Sequence, residues 1–235
     1  DKVSPIGRPM SSGYRFENIH IDGGFIQSKG SDTCGFISRP GSVNTFVKDC
    51  STSNMYIYGA GQHTSGFIGC VSGAQNSFSG GYGVRYDVEY PSQPEALFGN
   101  SSTTLNTTDS RYPFYITDCY SIDCEIFSTS GHSGGFISCM DSGVICKNSF
   151  CNNSIYGEDS TGVFIGCQVG YSWGPFYDDT NAQTINAYFE NCYTSGVVEG
   201  TTSIGGFVGS DLDKKAGTIY KNCYSTSMVG MDYSG

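Results

Sequence analysis

The apolar residues of this chain come in short runs that recur along its length. Five of these runs place glycine or another small residue around two large apolar residues: CGFIS (34–38), SGFIGC (65–70), GGFISC (134–139), GVFIGC (162–167) and GGFVGS (205–210). Each run is too short for a helix. Phe, Ile and Val bounded by glycine and serine favour short β-strands.

A second motif recurs between these runs, with Asn or Asp before a cysteine or its replacement. It reads FENIH (16–20), FVKDCS (46–51), YITDCYS (115–121), ICKNSF (145–150), YFENCYTS (188–195) and IYKNCYSTS (219–227). The Phe of the next glycine-rich run follows 17 residues after Ile19, Cys50 and Cys119, and 15 residues after Ser149 and Cys192. This near-constant offset indicates an internal repeat.

A third apolar segment lies about six residues after each cysteine position, so one period of about 30 residues carries three short strands. The pattern predicts an all-β fold, a right-handed parallel β-helix (β-solenoid) of about six coils with three short strands each. We expect one domain over residues 1–235, with loop insertions at about 71–112 and 168–186.

Stacked coils would place equivalent residues in columns. One column would contain Phe36, Phe67, Phe136, Phe164 and Phe207. The adjacent column would contain Ile37, Ile68, Ile137, Ile165 and Val208. Strand alternation predicts that the two columns point to opposite faces, and the sequence leaves open which of them points inward.

The chain has eleven cysteines, and most fit the same scheme. One column would hold Cys50, Cys119, Cys192 and Cys223, and another Cys70, Cys139 and Cys167. Because serine or isoleucine replaces cysteine in some repeats, buried thiols are favoured there over disulfides, which remain the alternative. The cysteines off these columns are the better disulfide candidates: Cys34, Cys124, Cys146 and Cys151.

Composition narrows the classes of partner. The net charge is −10 with no basic run, which disfavours nucleic acid and anionic membrane surfaces. No apolar run approaches the roughly 18–20 residues of a membrane span, so we expect no membrane insertion. No signal peptide is visible at Asp1, which suits a mature form or an excised module. Sequons make Asn100, Asn106 and Asn152 candidate glycosylation sites.

Two short motifs bear on catalysis. GHSGG (131–135) and DDTN (178–181) superficially resemble motifs of pectin-degrading β-helix hydrolases, but their order is reversed and Arg-x-Lys is absent. Asp32, His63 and His132 each lie four residues before a phenylalanine of the predicted column. A column of these three could bind a metal or respond to pH. An exposed turn column is the simpler interpretation, so we predict no catalysis, no metal and no cofactor.

The two insertions carry the most individual aromatic residues. The candidate ligand-binding residues are Tyr82, Tyr86, Tyr90, Trp173 and Tyr177. Aromatic loops on a rigid scaffold suit carbohydrate or protein recognition. The alternative is that these rings cover the flank of the solenoid.

The segments FENCYTSGVVEGTTSIGGFVG and GGFVGS…YKNCYSTSMVG resemble the GLUG-type repeat. The match is close at 188–230, clear at 114–139 and eroded at 16–38 and 146–167. Such repeats occur in bacterial surface adhesins and in non-catalytic parts of surface peptidases. The resemblance implies a right-handed β-helix with an extracellular scaffold or adhesive role.

These observations favour an extracellular structural or adhesive module of a cell-surface protein. One alternative is a subunit of an extracellular filament assembled end to end through uncapped coils. Another is a carbohydrate-binding or polysaccharide-active β-helix. The expected partners are a protein or glycan on a surface, or a second copy at the coil ends.

Overall fold

The computed structural model describes residues 2–7, 14–40, 45–71, 114–140, 144–168, 187–211 and 218–231. Within these ranges the chain is all-β, and every strand pairing between named strands is parallel. The prediction of an all-β fold with parallel strands is therefore confirmed. The same ranges include no helix that could cross a membrane.

The strands fall into six successive repeats. The first contains β1 (Arg15–Glu17), β2 (His20–Ser28) and β3 (Thr33–Cys34). The second contains β4 (Phe46–Lys48), β5 (Ser51–Gly59), β6 (Thr64–Ser65) and β7 (Ile68–Val71). The third contains β8 (Phe114–Thr117), β9 (Tyr120–Ser128), β10 (Ser133–Gly134) and β11 (Ile137–Met140). The fourth contains β12 (Val144–Lys147), β13 (Phe150–Tyr156), β14 (Asp159–Gly162) and β15 (Ile165–Gln168). The fifth contains β16 (Tyr188–Glu190), β17 (Tyr193–Gly200), β18 (Thr202–Gly205) and β19 (Val208–Asp211). The sixth contains β20 (Ile219–Lys221), β21 (Tyr224–Ser225) and β22 (Met228–Met231).

Each repeat adds its strands, in order, to the same four sheets. The first sheet runs β1-β4-β8-β12-β16-β20, and the second runs β2-β5-β9-β13-β17-β21, with β22 also paired to β17. The third sheet runs β3-β6-β10-β14-β18, and the fourth runs β7-β11-β15-β19. Neighbouring repeats in the sequence are thus neighbours in space, including the second and third, between which residues 72–113 lie outside the described ranges.

The glycine-phenylalanine run forms a bend between two strands, so complete repeats have four strands where the sequence predicted three. In the third repeat, Gly135 and Phe136 separate β10 from β11. Because Phe136 lies at this bend and outside the strand, it does not alternate with Ile137, and both side chains are fully buried in one core. The predicted opposite orientation of the Phe and Ile columns is therefore wrong.

The phenylalanines of this bend form one continuous stack. Ring centroids are 4.7 Å apart from Phe36 to Phe67, from Phe67 to Phe136 and from Phe136 to Phe164, and 4.9 Å from Phe164 to Phe207. This spacing matches the roughly 4.8 Å separation of paired strands. The stack fills the core beside the third and fourth sheets.

A glycine precedes four of the five phenylalanines, all but Phe164, and allows the backbones to approach closely. A Cβ atom on Gly66 would lie 2.3 Å from the carbonyl oxygen of Gly135. The carbonyl oxygen of Gly135 in turn accepts a 2.8 Å hydrogen bond from Nδ2 of Asn153, which also donates to Oγ of Ser121 at 2.8 Å. Buried polar side chains thus satisfy backbone groups at this bend.

The Asn or Asp of the second motif turns the chain from the first sheet into the second. These residues adopt left-handed φ values of 49–55°: Asn18, Asp49, Asp118, Asn148, Asn191 and Asn222. Asn and Asp tolerate this region better than other residues with a Cβ atom. Their side chains form a ladder in the later repeats, in which Nδ2 of Asn191 donates to Oδ1 of Asn148 at 3.1 Å.

Candidate functional site

An aromatic row lies on the outer face of the second sheet. Phe25, Tyr56, Phe127 and Tyr156 stack in sequence, with ring centroids 5.4, 5.1 and 4.8 Å apart. Strand alternation produces this face, because the isoleucine next to each ring points into the core. Phe25 is 64% exposed and Tyr56 38% exposed. We call these four residues the outer aromatic row.

A second row runs parallel to it on the same sheet. Tyr120, Phe150, Tyr193 and Tyr224 stack with ring centroids 5.2, 5.0 and 5.4 Å apart. His20 lies at the end of this row, and its Nδ1 is 2.7 Å from Oγ of Ser51. The face of the second sheet thus presents two lines of rings on a rigid hydrogen-bonded support.

A fixed carboxylate, that of Asp22, lies three residues before Phe25 on β2. Oδ1 of Asp22 accepts hydrogen bonds from Nδ2 of Asn54 and Oγ of Ser53, each at 2.7 Å. These two hydrogen bonds, that from Asn54 foremost, lower the pKa of Asp22 from its ordinary value. The face of the second sheet therefore carries exposed aromatic rings and a hydrogen-bond acceptor, a combination suited to a ligand with an apolar surface and hydroxyl groups.

All five ligand-binding residues expected from the sequence lie outside the described ranges. These are Tyr82, Tyr86, Tyr90, Trp173 and Tyr177, and the same holds for the sequons at Asn100 and Asn106. Asn152 is described and is exposed on β13. Alternation puts its side chain on the outer face that carries Phe150, so a glycan there would stand beside the second aromatic row.

Ten of the cysteines have described side chains, and each is present as a thiol. The ten whose side chains are described form no disulfide, so the pairing expected of Cys34, Cys124, Cys146 and Cys151 is not found. Cys146 is in register with Ile116 and Phe189, and Cys151 with Ser121 and Thr194, so each takes a small or apolar position in its own column. Burial raises the pKa of Cys34 to about 12, and that of Cys151 well above its ordinary value.

The cysteines assigned to columns lie where the repeat places them. Cys50 and Cys119 are in adjacent repeats, and a thiol hydrogen bond between them lowers the pKa of Cys50. Sγ of Cys192 lies 3.9 Å from Sγ of Cys146. Cys70 and Cys139 are in register on β7 and β11, and the backbone of Cys167 continues that register.

Asp32, His63 and His132 come together at the start of the third sheet, where all three have left-handed φ values of 59–66°. The rings of His63 and His132 stack with centroids 5.4 Å apart. Nδ1 of His63 lies 2.7 Å from Oδ1 of Asp32. The three therefore form a column, but its simpler interpretation as an exposed turn is wrong, because Asp32 is fully buried.

The buried Asp32 is compensated by cations. Lys2 Nζ lies 3.1 Å and Arg39 Nη1 3.4 Å from its Oδ2. Burial acts to raise the pKa of Asp32, but the hydrogen bond from His63 and the charges of His63 and Arg39 outweigh it and hold the pKa below its ordinary value. Asp32 is therefore an ionised acceptor that fixes a proton on Nδ1 of His63.

Two cysteines complete this corner. A ring nitrogen of His63 and the Sγ atoms of Cys70 and Cys139 all lie within 4.8 Å of one another. The sequence analysis put His63 and these cysteines in separate columns and missed the grouping. A signal was present, since His63 precedes Cys70 by seven residues and His132 precedes Cys139 by seven. We call His63, Cys70 and Cys139 the His–Cys cluster.

Comparison of the chain with protein-family models, with curated proteins and with solved structures finds no match.

Proposed function

We propose that this chain is a non-catalytic structural and adhesive module of an extracellular cell-surface protein, built as a right-handed parallel β-helix of about six coils. The six repeats that feed the same four sheets support the β-helix. The resemblance of 188–230 to the GLUG-type repeat supports the surface role. The fold positions residues in straight rows, which is what a rigid extended contact surface requires.

The outer aromatic row carries the adhesive part of the proposal. A contiguous exposed apolar patch on a protein domain marks a contact site more often than the rest of the surface does. Stacked rings on parallel strands present a line of ring edges at intervals of about 5 Å, and Phe25, which stacks on one ring only, offers a ring face to which the apolar face of a sugar can pack. The net charge of −10 disfavours acidic polysaccharides, so a neutral surface glycan is the ligand class that fits.

The test is glycan binding by the 235-residue chain and by a variant with Phe25→Ala and Tyr56→Ala together. Both rings are exposed, so the variant should fold, and we expect at least a tenfold loss of affinity for neutral glycans. Tyr188→Ala is the matched control, because Tyr188 is a half-buried ring on the first sheet. Equal glycan binding by the double variant would contradict the assignment to the aromatic row. Release of sugars from any polysaccharide would contradict the non-catalytic role.

Extracellular placement is tested by expression through a eukaryotic secretory pathway. A surface protein should pass this route folded, with Asn152 open to glycosylation because it is exposed. Retention of misfolded chains under these conditions, with correct folding in a reducing cytosol, would contradict the proposed localisation.

A filament subunit is the second candidate, and the strands of the sixth repeat favour it. They expose large apolar side chains, with Tyr224 58%, Met228 67% and Val229 53% exposed. A further parallel strand from another copy would cover them and pair the edge of the sixth repeat, to which no later strand is added within the described ranges. Electron microscopy of the purified chain should then show fibres that Met228→Lys and Val229→Lys abolish. Monomers at all protein concentrations would exclude the filament.

A further inference from the structure

We propose that the His–Cys cluster is a binding site for a thiophilic metal ion, Zn²⁺ in the first place, with His63, Cys70 and Cys139 as its ligands. The proposal is independent of the adhesive function. It rests on the position of three ligand atoms, on their burial and on the hydrogen bond that orients the histidine.

The ligand types fit zinc. Zinc binds cysteine sulfur at about 2.3 Å and histidine nitrogen at about 2.0–2.1 Å, in tetrahedral geometry. Atoms at such distances from one ion lie about 3.8 Å from each other. The atoms of the His–Cys cluster lie within 4.8 Å of one another, so shifts of about 1 Å would bring them to bonding positions.

A hydrogen bond engages one ring nitrogen of the histidine and leaves the other for a metal. Asp32 holds Nδ1 of His63 at 2.7 Å, which leaves Nε2 with its lone pair for a metal. A carboxylate that accepts a hydrogen bond from the second nitrogen of a ligating histidine is the usual support of a zinc site. Lys2 and Arg39 also contact that carboxylate, at 3.1 and 3.4 Å, so its position does not depend on the metal.

The burial of the site also suits an ion. Cys70 and Cys139 are each 4% exposed, while the His63 side chain is 13% exposed. The sulfur atoms are therefore shielded from water and large oxidants, and a path to solvent remains beside the imidazole. Three protein ligands leave one tetrahedral position for water or another small ligand.

The binding reaction balances in charge. Zn²⁺ binds imidazole in its neutral form and displaces one proton from each of the two thiols, so two thiol protons leave for each ion bound. Two thiolates then neutralise the ion. No oxidant or reductant takes part.

The ligands come from different repeats, and this predicts a structural consequence. Cys70 belongs to the second repeat and Cys139 to the third, and residues 72–113 separate them in the chain. An ion bound by both would cross-link the two repeats across that segment. Bound zinc should therefore raise the thermal unfolding midpoint of the protein.

The experiment uses the full chain, reduced and freed of metal, and titrates it with Zn²⁺ and with Co²⁺ as a spectroscopic substitute. We expect one tightly bound ion per chain and a thiolate-to-cobalt charge-transfer band. Cys70→Ala, Cys139→Ala and His63→Ala should lose this ion. Cys119→Ala is the matched control, since it removes a buried thiol from another column. Asp32→Asn should weaken zinc binding by about 10–100-fold without abolishing it.

A second measurement needs no variant and so does not depend on how each variant folds. Zinc should slow alkylation of Cys70 and Cys139 in the wild-type protein, as mapped by peptide mass spectrometry. The proposal is overturned if the reduced wild-type chain binds no zinc, if protection appears only at other cysteines, or if Cys70→Ala and Cys119→Ala bind zinc equally.

Discussion

The ring of Phe136 stacks on the ring of Phe67, with centroids 4.7 Å apart and planes inclined by 12°. The two residues come from successive repeats, and both are fully buried. Their separation equals the spacing of the paired strands on either side of them, about 4.8 Å. The side-chain stack and the backbone ladders therefore share one period, which lets a single motif build the core.

Phe136→Ala should destabilise the protein by about 3–5 kcal/mol, because it opens a cavity inside a continuous stack. Denaturant unfolding followed by circular dichroism would measure this change. Phe25→Ala is the control, since Phe25 is 64% exposed, and it should cost about 0.5 kcal/mol or less. Similar losses for the two variants would show that the buried stack does not stabilise the fold.

Substitutions of Asn191 test how much the left-handed turn and its side-chain hydrogen bonds stabilise the fold. Its φ is 54°, and its side chain donates to Asn148 and accepts from Nδ2 of Asn222 at 3.2 Å. Both Asn191→Gly and Asn191→Ala remove the hydrogen bonds. Glycine adopts this left-handed conformation without strain, whereas alanine keeps a Cβ atom in a conformation that costs roughly 1–2 kcal/mol. The free energy of unfolding should decrease in the order wild type, Gly variant, Ala variant. An Ala variant as stable as the Gly variant would contradict the backbone assignment.

Gly66→Ala should destabilise the fold because its Cβ atom would meet a backbone carbonyl oxygen 2.3 Å away, which cannot move without separating the repeats. Gly131→Ala is the matched control, because its nearest atoms would lie 3.9 Å away on the side chain of Asp159. Thermal unfolding should show a clear decrease for the first variant and little change for the second. The reverse order would refute the close approach at the bend.

Glu190 should make stability depend on pH. Its carboxylate lies 2.7 Å from Nζ of Lys221 and 3.0 Å from Nζ of Lys147. Hydrogen bonds from Lys221 and then Lys147 lower its pKa from 4.5 to about 2. Because the folded pKa is depressed, the stabilisation is present above about pH 4.5 and is lost as pH falls towards 2.

Glu190→Gln provides the measurement. At neutral pH the variant should be less stable than wild type by about 1 kcal/mol or less, since these ion pairs are near the surface. The difference should shrink as pH falls through the same window. A difference that stays constant down to pH 2 would mean that the lysines do not act through the charge of Glu190.

The buried thiols should be unreactive in the folded protein. Thiolates are the reactive species, and burial raises the pKa of Cys34 to about 12. With a metal chelator present, alkylation near neutral pH should be slow in the native state, and all eleven cysteines should react after unfolding. Fewer than eleven reactive thiols in denaturant without reductant would reveal disulfides.

The sequence predicted the repeat and its strands because each repeat must bury the same positions against its neighbours. A fixed offset between the Asn-Cys motif and the glycine-phenylalanine run was sufficient to align Phe67 with Phe136 across a long insertion. The offset did not predict that the side chains of Phe136 and Ile137 both point into the core. Alternation holds only within a strand, and the bend at Gly135 could not be recognised from residue types alone.

The sequence by itself therefore determined which residues form a column, since that depends only on position within the period. Only the tertiary structure decided which columns meet. His63 and Cys70 are seven residues apart in one repeat, and the bend between β6 and β7 brings them together with Cys139 of the next. The outward orientation of Phe25 and Tyr56 was likewise decided by which face of the second sheet packs on the core. Side-chain contact depends on turn angles and sheet packing, which a one-dimensional period does not contain.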